Sequence, residues 1–221
     1  MKKYELTGET LQIGRATLHR IKATKSFAGV SAGETGGWVE KEKNLAQDGN
    51  AWVYGDARVT GNARVSGDAR VTGNARITDN AWVSDNAWVS GNARITDNAW
   101  VSGNAWVSGD AWVSGNAHYL EIGPIGSRND TVTFTRGKDG SIFAKVGCFF
   151  GTLAEFREKV GETHGENEHA QAYLLAAELA ELRIDTTPVA DKQEKPDEAE
   201  SGCWVEWLKA PAENKGEKWK F

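Results

Sequence analysis

Residues 49–120 read GNAWVY GDARVT GNARVS GDARVT GNARIT DNAWVS DNAWVS GNARIT DNAWVS GNAWVS GDAWVS GNAHYL, one six-residue phrase written twelve times without a gap. A fixed short period marks a repeat architecture. Within the phrase, Ala and Val or Ile lie two apart, with Arg or Trp between them and Ser or Thr after. Alternate residues of a strand face opposite ways, so Ala and Val/Ile point inward while Arg/Trp and Ser/Thr point out. The Gly/Asp–Asn/Asp pair that opens each phrase makes a corner, because these residues tolerate the dihedrals of a tight bend. Six residues give one side of a coil. Its apolar pair is too small to be a core alone, so stacking of coils must build one.

This pattern resembles the left-handed parallel β-helix of the hexapeptide-repeat proteins, and the resemblance covers all twelve phrases. It implies three phrases per triangular coil, four coils in all, and direct stacking of residues eighteen apart at about 4.8 Å per strand step. Three outward columns follow. The first carries Trp52, Arg70, Trp88 and Trp106, and the second Arg58, Arg76, Arg94 and Trp112. The third carries Arg64, Trp82, Trp100 and His118. Tryptophan columns on an outer surface point to a contact, with a second copy or another partner. Like charges one strand apart repel unless an anion, a carboxylate or an aromatic ring lies between them. The Arg column therefore fits either a crossing subunit or a small phosphorylated ligand such as a nucleotide. A trimer is the family's habit, so a homotrimer is the default expectation.

Outside the repeats, residues 1–48 read as short strands (Lys3–Leu6 and Thr17–Ala23) and a cap. Trp38-Val39 anticipates the Trp-Val pairs as an irregular first coil. The runs KKYELTGET, LHRIKA and GGWVEKEKNLAQDGNAWVYGDA resemble a group of bacteriophage- and prophage-encoded hexapeptide-repeat proteins, over roughly residues 1–120. That resemblance implies a viral or prophage accessory role in the host cytoplasm and settles no chemistry.

After Leu120 the composition changes abruptly, and residues 121–185 read as a compact ββαα module. Thr131–Thr135 and Ser141–Val146 form a hairpin. A helix starts at Thr152 with Glu155 reaching back and stops at Gly165. A second helix spans Glu166–Ile184, with Leu175, Leu179 and Leu182 as its apolar stripe. Residues 186–202 are rich in Pro, Lys, Asp and Glu and read as a linker. The apolar stretch 203–208 (CWVEWL) begins the tail that ends at 221.

The chain has 221 residues, net charge −5 and ten Trp. Net acidity argues against a general nucleic-acid binder. No leader opens the sequence and no apolar run approaches membrane-spanning length, so a cytoplasmic protein is expected. Cys148 and Cys203 show no metal spacing, and the corner Asp residues lack a calcium-repeat pattern. No metal and no cofactor are expected.

The hexapeptide family's best-known activity is acyl transfer from an acyl-thioester such as acyl-CoA, with a catalytic His between subunits. Of the four His (His19, His118, His164 and His169), His118 alone lies in the repeats, and no loop interrupts the coils to carry another. A binding protein without a catalytic residue is therefore the primary expectation, and acyltransferase the alternative. Two further features bear on chemistry. Cys148 and His164 stand at opposite ends of a helix region, roughly 18 Å along its axis, too far for a nucleophilic pair. The turn around Gly126, Ser127 and Arg128 fits an anion through backbone N–H groups and a guanidinium, though it lacks the ending of a nucleotide-binding P-loop.

Overall fold

The computed structural model describes residues 2–189. The stretch 203–208 and most of the 186–202 segment lie outside the described residues.

The chain opens with an antiparallel hairpin, β1 (Tyr4–Ile13) and β2 (Ala16–Ala23), followed by β3 (Thr35–Val39). The first strand is longer than the sequence suggested. The repeats then give two-residue strands: β4 (Trp52–Val53), β5 (Arg58–Val59), β6 (Arg64–Val65), β7 (Arg70–Val71), β8 (Arg76–Ile77), β9 (Trp82–Val83), β10 (Trp88–Val89), β11 (Arg94–Ile95), β12 (Trp100–Val101), β13 (Trp106–Val107) and β14 (Trp112–Val113). They pair in parallel, each with the strand three phrases on, so that Arg58 faces Arg76 and Val59 faces Ile77. Three sheets result, in the orders β3-β5-β8-β11-β14, β4-β7-β10-β13 and β6-β9-β12, with the β1–β2 hairpin extending the first. The protein is a mainly β solenoid.

Its core is the expected one. The Ala and Val/Ile of each coil, from Ala51 to Val113, are at most 1% exposed. At the corners Gly61 has φ +65° and Asp79, one coil on, has φ +61°. A Cβ on Gly61 would stand 3.0 Å from the Asp79 carbonyl oxygen, so backbone meets backbone at the bend. The Asn/Asp beside each corner does more than turn the chain. Asn50 Nδ2 donates to Asp68 Oδ1 at 2.8 Å, and Asn62→Asn80, Asn74→Asn92, Asn80→Asn98 and Asn86→Asn104 repeat the contact. These ladders lock the register of successive coils.

The twelfth phrase departs from the expectation. Asn116–His118 forms a short 3-10 turn, and the chain enters β15 (Tyr119–Ile125). The C-terminal module is a four-stranded antiparallel sheet, not a two-stranded hairpin: β15, β16 (Asp130–Arg136), β17 (Ile142–Val146) and β18 (Phe149–Thr152). Helices α1 (Leu153–His164) and α2 (Glu168–Arg183) pack on it. The Thr152/Glu155 capping box and the Gly165 stop are where the sequence placed them.

The predicted stripe of α2 is corrected. Leu175, Leu179 and Leu182 are 64%, 42% and 84% exposed. The buried face is Ala170, Tyr173, Ala176, Ala177 and Ala180. Phe134, Phe156 and Tyr173 already fill the space with edge-to-face rings 5.6 and 5.8 Å apart. At native packing density, only small side chains fit between them.

The module seats on the last coil. Ala111 bridges to Gly137, and Trp106 N–H donates to Thr133 Oγ1 at 3.0 Å. Arg136, 4% exposed, donates to the Trp112 carbonyl at 3.3 Å, to Ser114 Oγ at 3.1 Å and to the Thr187 carbonyl at 3.1 Å.

Candidate functional site: the three outer faces

The outward columns stack as expected, but the ends of the chain cover them unequally. On the first face, Trp52 is fully buried, so its assignment to an exposed contact is overturned. The rings of Tyr4 and Phe27 stand edge-on to it at 6.1 and 5.5 Å, because the first 30 residues fold back over that corner. At the far end Trp106 stacks on Trp88 at 4.7 Å and 5°. The Lys145 ammonium of the C-terminal module sits 3.6 Å over Trp106, and burial pushes its pKa down. The indole N–H groups of Trp52, Trp88 and Trp106 are buried without a partner among the described residues. Between these ends, Arg70 and Trp88 line a groove of about 330 Å³. This face is used mainly to hold the two ends of the molecule.

The second face runs Trp38, Arg58, Arg76, Arg94, Trp112 in register. Trp38 extends the column by one rung beyond the expectation. The signal was its Trp-Val pair, already recognised as the irregular first coil. Arg20 lies 4.4 Å over Trp38, and Arg94 4.9 Å over Trp112. Three half-buried guanidiniums thus stand between two indoles that each carry a cation. Arg76 and Arg94 are also engaged within the chain. Cation–π contact of this kind offsets part of the like-charge repulsion.

The third face is the open one. Arg64 is exposed, and Trp82 and Trp100 are 41% and 48% exposed. Their rings stack at 5.3 Å and 10°, and each indole N–H is anchored on a hydroxyl, Trp82 on Ser66 at 3.0 Å and Trp100 on Ser84 at 3.2 Å. Two indoles are therefore held in a fixed stack that is partly open to solvent. Trp82 also lines a groove of about 570 Å³ together with Glu42, Lys43, Gln47, Arg64 and Ser66.

His118 does not join that column. It lies in the 3-10 turn, where Nδ1 accepts the Ser114 backbone N–H at 3.0 Å and sits 3.1 Å from Ser114 Oγ. Its Nε2 lies 3.8 Å from Asp185. The Ser114–His118–Asp185 order evokes a nucleophilic triad, but the chemistry differs. The one Nδ1 lone pair already holds a backbone N–H, and 3.8 Å is beyond hydrogen-bond reach. Burial, followed by the Arg136 charge, lowers the His118 pKa against an opposing pull from Asp185. With Arg136 donating to the same hydroxyl, the cluster is a clasp between the last coil and the module.

Gly126, Ser127 and Arg128 form the turn of the β15–β16 hairpin, with Asn129 N–H donating to the Gly126 carbonyl at 3.2 Å. Ser127 and Arg128 line a separate groove of about 540 Å³ in the module, which none of the column residues lines. Cys148 and His164 line that same groove. Strand β18 carries the chain away from Cys148 and α1 brings it back. Among the described residues no cluster of three His, Cys, Asp or Glu side chains could hold a metal ion, and no helix is long and apolar enough to cross a membrane.

Residues 51–67, 63–77 and 87–103 match the YdcK Beta solenoid repeat family. A stretch of 62 residues is 37% identical to a protein named Uncharacterized acetyltransferase YdcK from Escherichia coli (strain K12). That stretch covers 24% of this chain and 19% of the relative, so the similarity reaches about a fifth of the relative's length.

Proposed function

We propose that this protein is a non-enzymatic, self-associating binding protein whose third solenoid face is the contact between copies. The observation that supports this is the Trp82–Trp100 pair, stacked, hydroxyl-anchored and left 41% and 48% exposed. Indoles already fixed in a stack lose little further side-chain entropy on association, which is what makes rigid aromatics good anchors. Three copies is the number favoured by the hexapeptide family's habit. Within the assembly, the Arg58–Arg76–Arg94 ladder between Trp38 and Trp112 is the place for a small phosphorylated guest, a nucleotide above all. Guanidinium forks suit phosphate and an indole suits a base. The likeness of residues 1–120 to phage and prophage proteins directs such capture at a host signal or host protein.

Light scattering on the purified chain tests the first step. A mass at an integer multiple of 24.0 kDa, two or greater, is expected, falling in Trp82→Ser/Trp100→Ser with the solenoid still folded. A monomer at micromolar concentration refutes it. Calorimetry with cyclic and linear nucleotides tests the second step. Binding weakened by Arg58→Ala with the oligomer unchanged supports capture, and no heat from any nucleotide ends it.

Acyl transfer is the second reading, favoured by the name of the E. coli relative. Against it stands His118, whose Nδ1 is spent on a backbone N–H. Thiol release from acetyl-CoA with broad amine acceptors, lost in His118→Ala, would establish it in place of the binding reading.

A further inference from the structure

The C-terminal module has a groove that neither the solenoid faces nor the repeats explain. Four segments that are distant in sequence converge on it: the β15–β16 turn, the β17–β18 turn, the second half of α1, and Tyr173 of α2. Its volume of about 540 Å³ falls within the span of small-molecule sites, roughly 300–1,000 Å³.

The lining is divided by chemistry. Phe149, Phe156 and Val160 make an apolar floor, and Phe149 and Phe156 lie 5.7 Å apart. Arg128, Lys159, His164 and Ser127 make a polar, cationic rim. The carboxylates nearest the rim are Asp130, 3.7 Å from Arg128, and Glu162, 2.9 Å from Lys159; neither lines the groove. The Arg128 guanidinium packs on the Gly147 backbone, where an added Cβ would meet it at 2.1 Å. That contact holds the charge at the mouth of the groove beside Cys148.

Tyr173 is the second observation. It is only 7% exposed, yet its hydroxyl makes no hydrogen bond among the described residues. The hydroxyl is lodged against Gly126, whose Cβ position lies 2.1 Å from it, and it opens on the groove. The ring is buried while the hydroxyl reaches solvent through the groove, so a ligand that displaced that solvent would have to replace its hydrogen bond. A ligand oxygen in the groove would do so.

We propose that this groove binds a small amphipathic anion. Its carboxylate or phosphate-monoester head meets Arg128, Lys159 and the Tyr173 hydroxyl, and its aryl or short alkyl body lies on Phe149, Phe156 and Val160. The division of the lining requires both parts of such a molecule. An inorganic anion leaves the floor wet, and a neutral hydrocarbon makes no use of Arg128, Lys159 or the Tyr173 hydroxyl.

Titration calorimetry on the full chain tests this with phenylacetate, phenyl phosphate and hexanoate, against inorganic phosphate and benzyl alcohol as half-molecules. At least one of the three amphiphiles is expected to bind with submillimolar Kd, and both half-molecules are expected to fail. Phenylacetate against phenyl phosphate decides the head group. Arg128→Ala and Lys159→Ala change exposed side chains and leave the fold intact. Each is expected to weaken binding about tenfold, as loss of a charge-assisted hydrogen bond does. In a Cys203→Ser background, a saturating amphiphile is expected to slow the reaction of Cys148 with a disulfide reagent. The proposal is overturned if no amphiphile binds at millimolar concentration, if benzyl alcohol binds as well as the anions, or if the Arg128→Ala/Lys159→Ala double variant keeps wild-type affinity.

Discussion

Trp52 and Trp100 occupy the same position of nearly the same phrase, and their removal is expected to have very different consequences. Trp52 is fully buried beneath the first strands, and Trp100 is 48% exposed. A buried Trp removes up to about 250 Å² from water, worth about 6 kcal/mol as an upper bound at 25 cal/mol per Å². A compact unfolded chain reduces that by up to about 40%, and removing the orphaned indole N–H recovers about 1 kcal/mol. Loss of the edge-on contacts to Tyr4 and Phe27 restores about 1 kcal/mol of cost. Trp52→Ala should therefore destabilise by about 4 kcal/mol, within the usual range for Trp truncation in a core. Trp100→Ala loses half the burial, about 2 kcal/mol after the same reduction, and one stack, about 1 kcal/mol, so about 3 kcal/mol in all. Because a solenoid need not unfold as one unit, amide exchange is the right assay. Exchange across β1 and β2 should accelerate sharply in Trp52→Ala, while β12 and its neighbours change little. In Trp100→Ala the hairpin amides should keep their protection. Equal effects on the hairpin from the two substitutions would refute the view that the N-terminal strands are pinned on Trp52.

Three other outcomes are expected. Leu175→Gln, Leu179→Gln and Leu182→Gln should each change stability by under about 0.5 kcal/mol, whereas Ala177→Leu should cost about 1–3 kcal/mol, both read from thermal melts. Arg136→Ala removes charge-assisted bonds to Trp112, Ser114 and Thr187, so it should cost about 2–3 kcal/mol and split solenoid from module into two calorimetric transitions; a single unshifted transition would count against the junction. Burial lowers the Lys3 ammonium from 10.5 to about 8, so from about pH 8 upward the unfolded chain holds a proton the folded chain has lost, and stability should rise with pH. Burial pushes the Tyr4 phenol up, so above about pH 10 the unfolded Tyr4 releases its proton first and stability should turn down again. Lys3→Met should erase the rise and keep the turn.

What could be read in the sequence was what depends on neighbours at fixed spacing. Alternation put Ala57 and Val59 inside, and the eighteen-residue step put Arg58 under Arg76. The Gly/Asp positions supplied corners such as Gly61 and Asp79. The capping box at Thr152 is likewise local. Failures came where volume is shared between distant segments. The three leucines of α2 looked like a core stripe because they are large. The interior had no room for them once Phe134, Phe156 and Tyr173 were in place, and alanines took the contact. His118 looked like a member of a column because its phrase matched. Yet the coil had already ended, with Arg136 drawing Ser114 into a junction.

The candidate site follows the same logic one level up. Every phrase offers an outward Arg or Trp, so the repeats by themselves cannot say which of these meets water. That is decided by residues outside the repeats: Tyr4 and Phe27 remove Trp52 from the surface, Arg20 covers Trp38, and Lys145 covers Trp106. Of the Trp that remain, Trp88 and Trp112 are half-buried and Trp82 and Trp100 are exposed, yet the indole N–H groups of the exposed pair are tied to Ser66 and Ser84. An exposed ring whose orientation is fixed from below has lost most of the freedom that binding would otherwise remove. Exposure and fixed orientation together, which no single phrase encodes, are what support the proposal that the third face is the contact between copies.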